Sequence, residues 1–233
     1  MPPEEFKPLI AQRLAEGIAG FVRTSNYKRA RLPPEHHSEY EVQGMMIELL
    51  IASLPSENLV VENRKILDHA TLGECIPDVI VHSIGGGYWG FFELKTLLLK
   101  DSLSVAEVTK DLAKLCAYKD EHPKAAAVFV LVGSRSKLFN PQREVSWSDL
   151  KIRYDEDYFT AGRAKPQQIS EKYVALPCGS YNLEGDDVIS FMWEIVEAEP
   201  QGELLSTRYH FTAQMAGAST PASGNSARDT TPR

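Results

Sequence analysis

A chain of 233 residues that is 43% hydrophobic and 24% charged has the composition of a soluble globular protein, one large domain or one domain with extensions. A net charge of −7 argues against a strongly basic, non-specific nucleic-acid binder, although a local basic patch or a metal ion can still handle phosphate. Cys75, Cys116 and Cys178 make neither a Cys-x-x-Cys pair nor a zinc spacing. No secretory signal and no membrane-length apolar run is seen, so the expectation is reduced thiols, no membrane and a cytoplasmic setting.

Residues 4–24 predict an amphipathic helix, with Phe6, Leu9, Ile10, Leu14, Ile18, Phe21 and Val22 at helical spacing. Tyr27-Lys28-Arg29-Ala30-Arg31 follows and runs into Leu32-Pro33-Pro34. It reads as a solvated linker, or as an arm in which Lys28, Arg29 and Arg31 contact phosphate. Residues 1–37 are thus an N-terminal helix and basic linker. A second helix is expected over 38–54, with Ser38 as N-cap, Glu41 completing a capping box, and Val42, Met45, Met46, Leu49 and Leu50 as the buried stripe. Glu41 and Glu48, seven apart, lie along one edge of it. Residues 59–67 predict a first strand.

From Cys75 to Thr96 two β-branched and aromatic runs flank Gly85-Gly86-Gly87, the pattern of an antiparallel hairpin. If Gly85 and Gly86 form the turn, Ile84 faces Gly87 and Asp78 faces Glu93, so their carboxylates project from one face, with Lys95 two residues beyond on the same side. A three-residue turn with a bulge would shift that register. Pro77, Val79, Val81, Phe92 and Leu94 are expected on the other face, and Ile76, Ile80, Trp89 and Phe91 around the polar trio. Two carboxylates side by side in apolar surroundings need compensation, which a hard divalent cation supplies.

A helix is expected at about 104–120, capped by Ser104, with Val105, Val108, Leu112 and Leu115 as its core face. Lys110 and Lys114, one turn apart, read as a solvated face or as neighbours of a phosphate path. Ala126 to Val132, bounded by Pro123 and Gly133, predicts a buried strand parallel to the one carrying Glu93.

Pro77-Asp78, fourteen residues, then Glu93-Leu94-Lys95 resembles the motif of the PD-(D/E)XK nuclease superfamily, over about residues 38–133. The resemblance implies an α/β restriction-endonuclease-like core: helix, three-stranded antiparallel meander, helix and strand, with a mixed central sheet flanked by helices. It also implies that Asp78 and Glu93 bind Mg²⁺ (Mn²⁺ able to substitute), that the Leu94 carbonyl adds a ligand, and that Glu41 or Glu48 adds a further acid. Lys95 would assist the attacking water or the transition state, its pKa expected to be pushed down by the nearby metal and by partial burial. The implied activity is phosphodiester hydrolysis, foremost of DNA, in phage defence, restriction or DNA repair. The alternatives are an RNA or single-strand nuclease, or a catalytically silent binding subunit of a larger complex; a homodimer or a partner subunit stays open.

The nuclease-like domain is drawn as 38–212, with 134–172 a charged elaboration. Tyr173 to Leu176 predicts a strand. Asp186 or Asp187 is expected to cap a helix to about Glu197, with Val188, Phe191, Met192 and Ile195 on one face. Residues 213–233, poor in large apolar side chains, are expected to form a disordered tail.

Overall fold

The computed structural model describes residues 3–29, 38–54, 59–63, 65–69, 73–98, 103–138, 167–181, 185 and 187–198. In chain order these form α1 (Pro3–Arg29), α2 (Ser38–Ser53), β1 (Leu59–Asn63), β2 (Leu67–His69), β3 (Gly73–Cys75), β4 (Val79–Ser83), β5 (Tyr88–Leu97), α3 (Val105–Glu121), β6 (Ala126–Ser134), α4 (Arg135–Leu138), β7 (Gln167–Gln168), β8 (Tyr173–Tyr181) and β9 (Val188–Glu197). The expected strand over 59–67 is shorter: β1 stops at Asn63, and Leu67 instead begins a separate two-stranded ribbon with β3. The expected tail, Arg31 and most of the 134–172 elaboration lie outside the described residues.

Seven strands make one mixed sheet, in the order β1-β4-β5-β6-β9-β8-β7. Among the described residues only the β5–β6 pair is parallel, as expected; a parallel pair needs a long crossover, and α3 supplies it. Ser104 caps α3 with a capping box closed by Glu107, satisfying donors that the first turn would otherwise leave unpaired.

Helices cover both faces of the sheet. On one face α1 and α2 bury Leu14, Ile18, Met46 and Leu50 against Val79, Val81, Phe92, Leu94 and Val130. On the other, α3 buries Val108, Leu112, Leu115 and Tyr118 against Ile80, Phe91, Phe129 and Trp193. The alternation along β4 and β5 therefore follows the predicted faces, with two exceptions. Ile76 is exposed, and Trp89 packs with the α1–α2 side.

The turn explains Trp89. Ser83 accepts from the Gly86 N–H and donates to the Gly87 carbonyl, so three residues form the loop and Ser83, not Ile84, faces Gly87. Gly86 and Gly87 have positive φ there, which their lack of a Cβ permits. His82 then pairs with Tyr88, a bulge accommodates Trp89 as the extra residue, and Val81 pairs with Gly90. The bulge cancels the offset of the turn, so Val79 faces Phe92 in the register a two-residue turn would have given.

The helix expected up to Glu197 is corrected: Val188–Glu197 is β9, inserted between β6 and β8. A strand buried on both faces has no polar side, so its apolar run mimics a helical stripe. Every residue from Val188 to Ile195 is buried, and the β-branched and aromatic content favours the extended form. The strand expected over 173–176 continues to Tyr181 as β8, with an irregularity between Pro177 and Gly179. Gly179 lies under α1, where a Cβ would meet the Ala11 carbonyl oxygen at 2.6 Å.

Candidate functional site

Asp78 occupies the bend just before β4, and the β4–β5 register carried one step further sets it opposite Glu93. Its Oδ2 accepts a hydrogen bond from the Leu94 N–H at 2.7 Å. Its own carbonyl accepts from Nε2 of Gln43 on α2. Glu93 lies in β5, between Asp78 on one side and the buried β6 on the other, and is 1% exposed. Lys95, two residues on, projects to the same face.

Helix α3 closes over these groups. Nζ of Lys114 lies 2.6 Å from Oε2 of Glu93 and 3.0 Å from Oδ1 of Asp111. Nζ of Lys95 lies 3.0 Å from Oδ2 of Asp111, an ion pair without hydrogen-bond alignment, and 4.0 Å from Oε1 of Glu39. Asp111 thus bridges the two lysines with different oxygens. Oε1 of Glu93 is buried and has no hydrogen-bond partner. Beneath lie Phe91 and Tyr118, ring centroids 4.6 Å apart and stacked.

Burial dominates the electrostatics. It raises the pKa of Asp78 despite the Leu94 N–H and the nearby Lys95 and Lys114. Burial and the neighbouring Asp78 carboxylate push Glu93 well above the ordinary range, and Lys114 offsets this only in part. For the lysines burial acts downward, but Asp111 overrides it for Lys95 and Glu93 with Asp111 for Lys114, so both rise. In the metal-free protein the carboxylate neighbours of Lys95 outweigh its desolvation.

The residues expected at the site divide as follows. Asp78, Glu93, Leu94 and Lys95 come together, and Lys114 joins them through Glu93 rather than along an outer face. Lys110 is exposed. Lys28 and Arg29 end α1, their side chains outside the description. From α2, Glu39 and Gln43, one turn apart, reach polar groups of the hairpin. Glu41 and Glu48 point elsewhere: at about 100° per residue, both sit roughly 140–200° around the helix from Gln43. Glu41 is half-buried and Glu48 exposed. Sequence reasoning missed Asp111, although it falls at i+3 from Val108 and i−4 from Leu115, on the buried stripe of α3.

Among the described residues no group of three or more His, Cys, Asp or Glu side chains is placed to hold a metal. A hard cation that keeps its waters and takes phosphate as a ligand needs only one or two carboxylates. Glu39, Asp78, Glu93 and Asp111 gather around the ammoniums of Lys95 and Lys114, and one buried Glu93 oxygen lacks a donor. That donor set, all hard oxygen with negative charge in excess, fits a divalent cation between Asp78 and Glu93. Among the described residues no helix is long and apolar enough to cross a membrane. No protein-family model matches the chain, and no curated protein or solved structure matches it.

Proposed function

We propose that the chain is a metal-dependent phosphodiesterase, a nuclease with a restriction-endonuclease-like core whose foremost substrate is DNA. One observation carries the reading: Asp78 and Glu93 meet on one buried face of the β4–β5 hairpin, with Lys95 beside them and bracketed by Asp111 and Glu39. Two acids and a lysine have little reason to be sequestered there as decoration, since desolvating them is unfavourable. The order β1-β4-β5-β6, with α3 crossing between the parallel pair, supports it as the arrangement the motif implies. Cys75, Cys116 and Cys178 form no disulfide with one another, which agrees with a reducing, cytoplasmic setting.

Asp78 and Glu93 would hold Mg²⁺, or Mn²⁺ in its place, with the Leu94 carbonyl a further ligand implied by the resemblance. When bound, the metal supplies an acidified water and neutralises charge developing on the phosphate. The Leu94 N–H fixes which Asp78 oxygen remains to face the cation. Lys95, whose pKa is raised in the metal-free protein by Asp111 despite its burial, is suited to act as a hydrogen-bond donor to the attacking water or the phosphate. Asp111 and Glu39 hold it in place.

The test is cleavage of duplex DNA, single-stranded DNA and RNA by purified protein with Mg²⁺ or Mn²⁺, beside Asp78→Ala. Metal-dependent cleavage lost in the variant is expected. Failure to cut any substrate would move the reading to a silent binding subunit, which has its own supporting observation: Lys114 already partly neutralises Glu93.

A further inference from the structure

Lys114 belongs to no part of the motif, yet it makes the shortest ion pair in the site. Its ammonium lies between two carboxylates, 2.6 Å from Glu93 Oε2 and 3.0 Å from Asp111 Oδ1. Lys95 cannot fill that position, because Asp111 Oδ2 and Glu39 engage its own ammonium. Asp111 and Lys114 stand one helical turn apart, so the helix itself presents the ammonium with a second carboxylate at its side. Only 17% of the Lys114 side chain is exposed, and Glu93 Oε1 remains buried without a partner. On Glu93 the Lys114 ammonium thus compensates the site incompletely.

We propose that Lys114 is a resident counter-ion, seated on Glu93 where a divalent cation would bind and passing wholly to Asp111 when the cation arrives. The inference rests on Asp78 and Glu93 being cation ligands. Loading then requires no lysine to be expelled into solvent, since Asp111 already holds the ammonium. The internal competitor lowers cation affinity, so the site loads above a threshold set by α3. Charge alone gives the sign: an ammonium beside a divalent cation repels it, and removing the ammonium removes both repulsion and competition.

The experiment is calorimetric titration of metal-free protein with Mg²⁺ or Mn²⁺ alone, comparing the parent with Lys114→Met. The expected result is affinity about tenfold or more higher in the variant. Unchanged or weaker affinity, with the parent binding normally, would overturn the inference and leave the ligand assignment standing. Absence of cation binding by both proteins would overturn the ligand assignment and this inference with it. If Lys114→Met does not fold, the parent answers by ¹⁵N NMR of lysine ammonium groups. The Lys114 resonance, assigned through Lys114→Arg, should move on Mg²⁺ addition while that of Lys172, paired with Asp120, stays. A Lys114 resonance unmoved at saturating Mg²⁺ would refute the exchange.

Discussion

A lysine whose pKa rises is suited to giving hydrogen bonds and poorly suited to taking a proton, and Asp111 makes Lys95 such a group. Lys95→Met keeps the apolar stem and removes the charge, so single-turnover cleavage at saturating metal should fall about 10²–10⁴-fold while the fold persists. Loss of metal affinity with an undiminished rate at saturation would make Lys95 structural. The two carboxylates bear on stability as well. Asp78→Asn keeps an oxygen to accept from Leu94 and removes a charge that repels Glu93. The metal-free variant should melt about 2–4 °C higher, the equivalent of about 1 kcal/mol in a chain of this size. Glu93→Gln likewise removes a charge that burial and Asp78 disfavour even with Lys114 beside it, so above the folded Glu93 pKa it too should melt higher in the absence of metal. Both should lose cleavage. Thermal melts of the two in chelator check the sign; a lower melting temperature for Asp78→Asn would mean that repulsion does not govern Asp78.

Elements marked by alternation, by a cap or by bounding breakers were legible, and those without such marks were not. The β4–β5 hairpin, α3 with its Ser104 cap and the parallel β6 follow from alternation, capping and an apolar run bounded by Pro123 and Gly133. β9 was not legible, because a strand flanked by β6 and β8 and covered on both sides has no polar face to mark its period. The hairpin bulge hid for another reason: the offset of a three-residue loop and that of an extra Trp89 cancel, and only Trp89 shows the difference. At the site, Asp78, Glu93 and Lys95 were legible as a spacing. Asp111 and Lys114 were not, because α3 is distant in sequence and nothing in the hairpin says which of its polar residues turn inward. The packing of α1 on β8 gives a prediction at this scale. Gly179→Ala would drive a Cβ to 2.6 Å from the Ala11 carbonyl oxygen, a backbone atom that cannot rotate away. A loss of about 1–3 kcal/mol is expected from such overpacking, read as a lower urea midpoint. Cleavage by the folded fraction should persist, since α1 covers the face opposite α3. An unchanged midpoint would show that α1 does not sit on Gly179.

For the whole molecule, the buried acids couple stability to both pH and metal. Asp78 and Glu93 both have folded pKa values raised above the ordinary carboxylate range. The folded protein therefore binds more protons than the unfolded chain at pH values between the unfolded and folded pKa, and stability falls as pH rises through that window. The penalty is absent below the unfolded values and complete above the folded ones. Glu62 and Glu107, whose pKa values are lowered, act in the opposite sense and below that window, their contribution being lost as pH falls through their folded values. The raised Lys95 and Lys114 lose theirs only above the ordinary lysine range. As pH rises above the ordinary carboxylate range the carboxylate pair should therefore set a downward trend in the melting temperature of metal-free protein. A divalent cation binds the ionised carboxylates and releases their protons, so its stabilisation should grow with pH over the same interval, reaching about 2.7 kcal/mol at a hundredfold excess over Kd. Calorimetric melts across that range, in chelator and in Mg²⁺, measure both trends, with the Asp78→Asn, Glu93→Gln double variant subtracting histidines and other titrating groups. The double variant should lose the downward slope and the Mg²⁺ response together. A parent slope that survives in the double variant would assign the pH dependence elsewhere, and a parent indifferent to Mg²⁺ at every pH would remove Asp78 and Glu93 as its ligands.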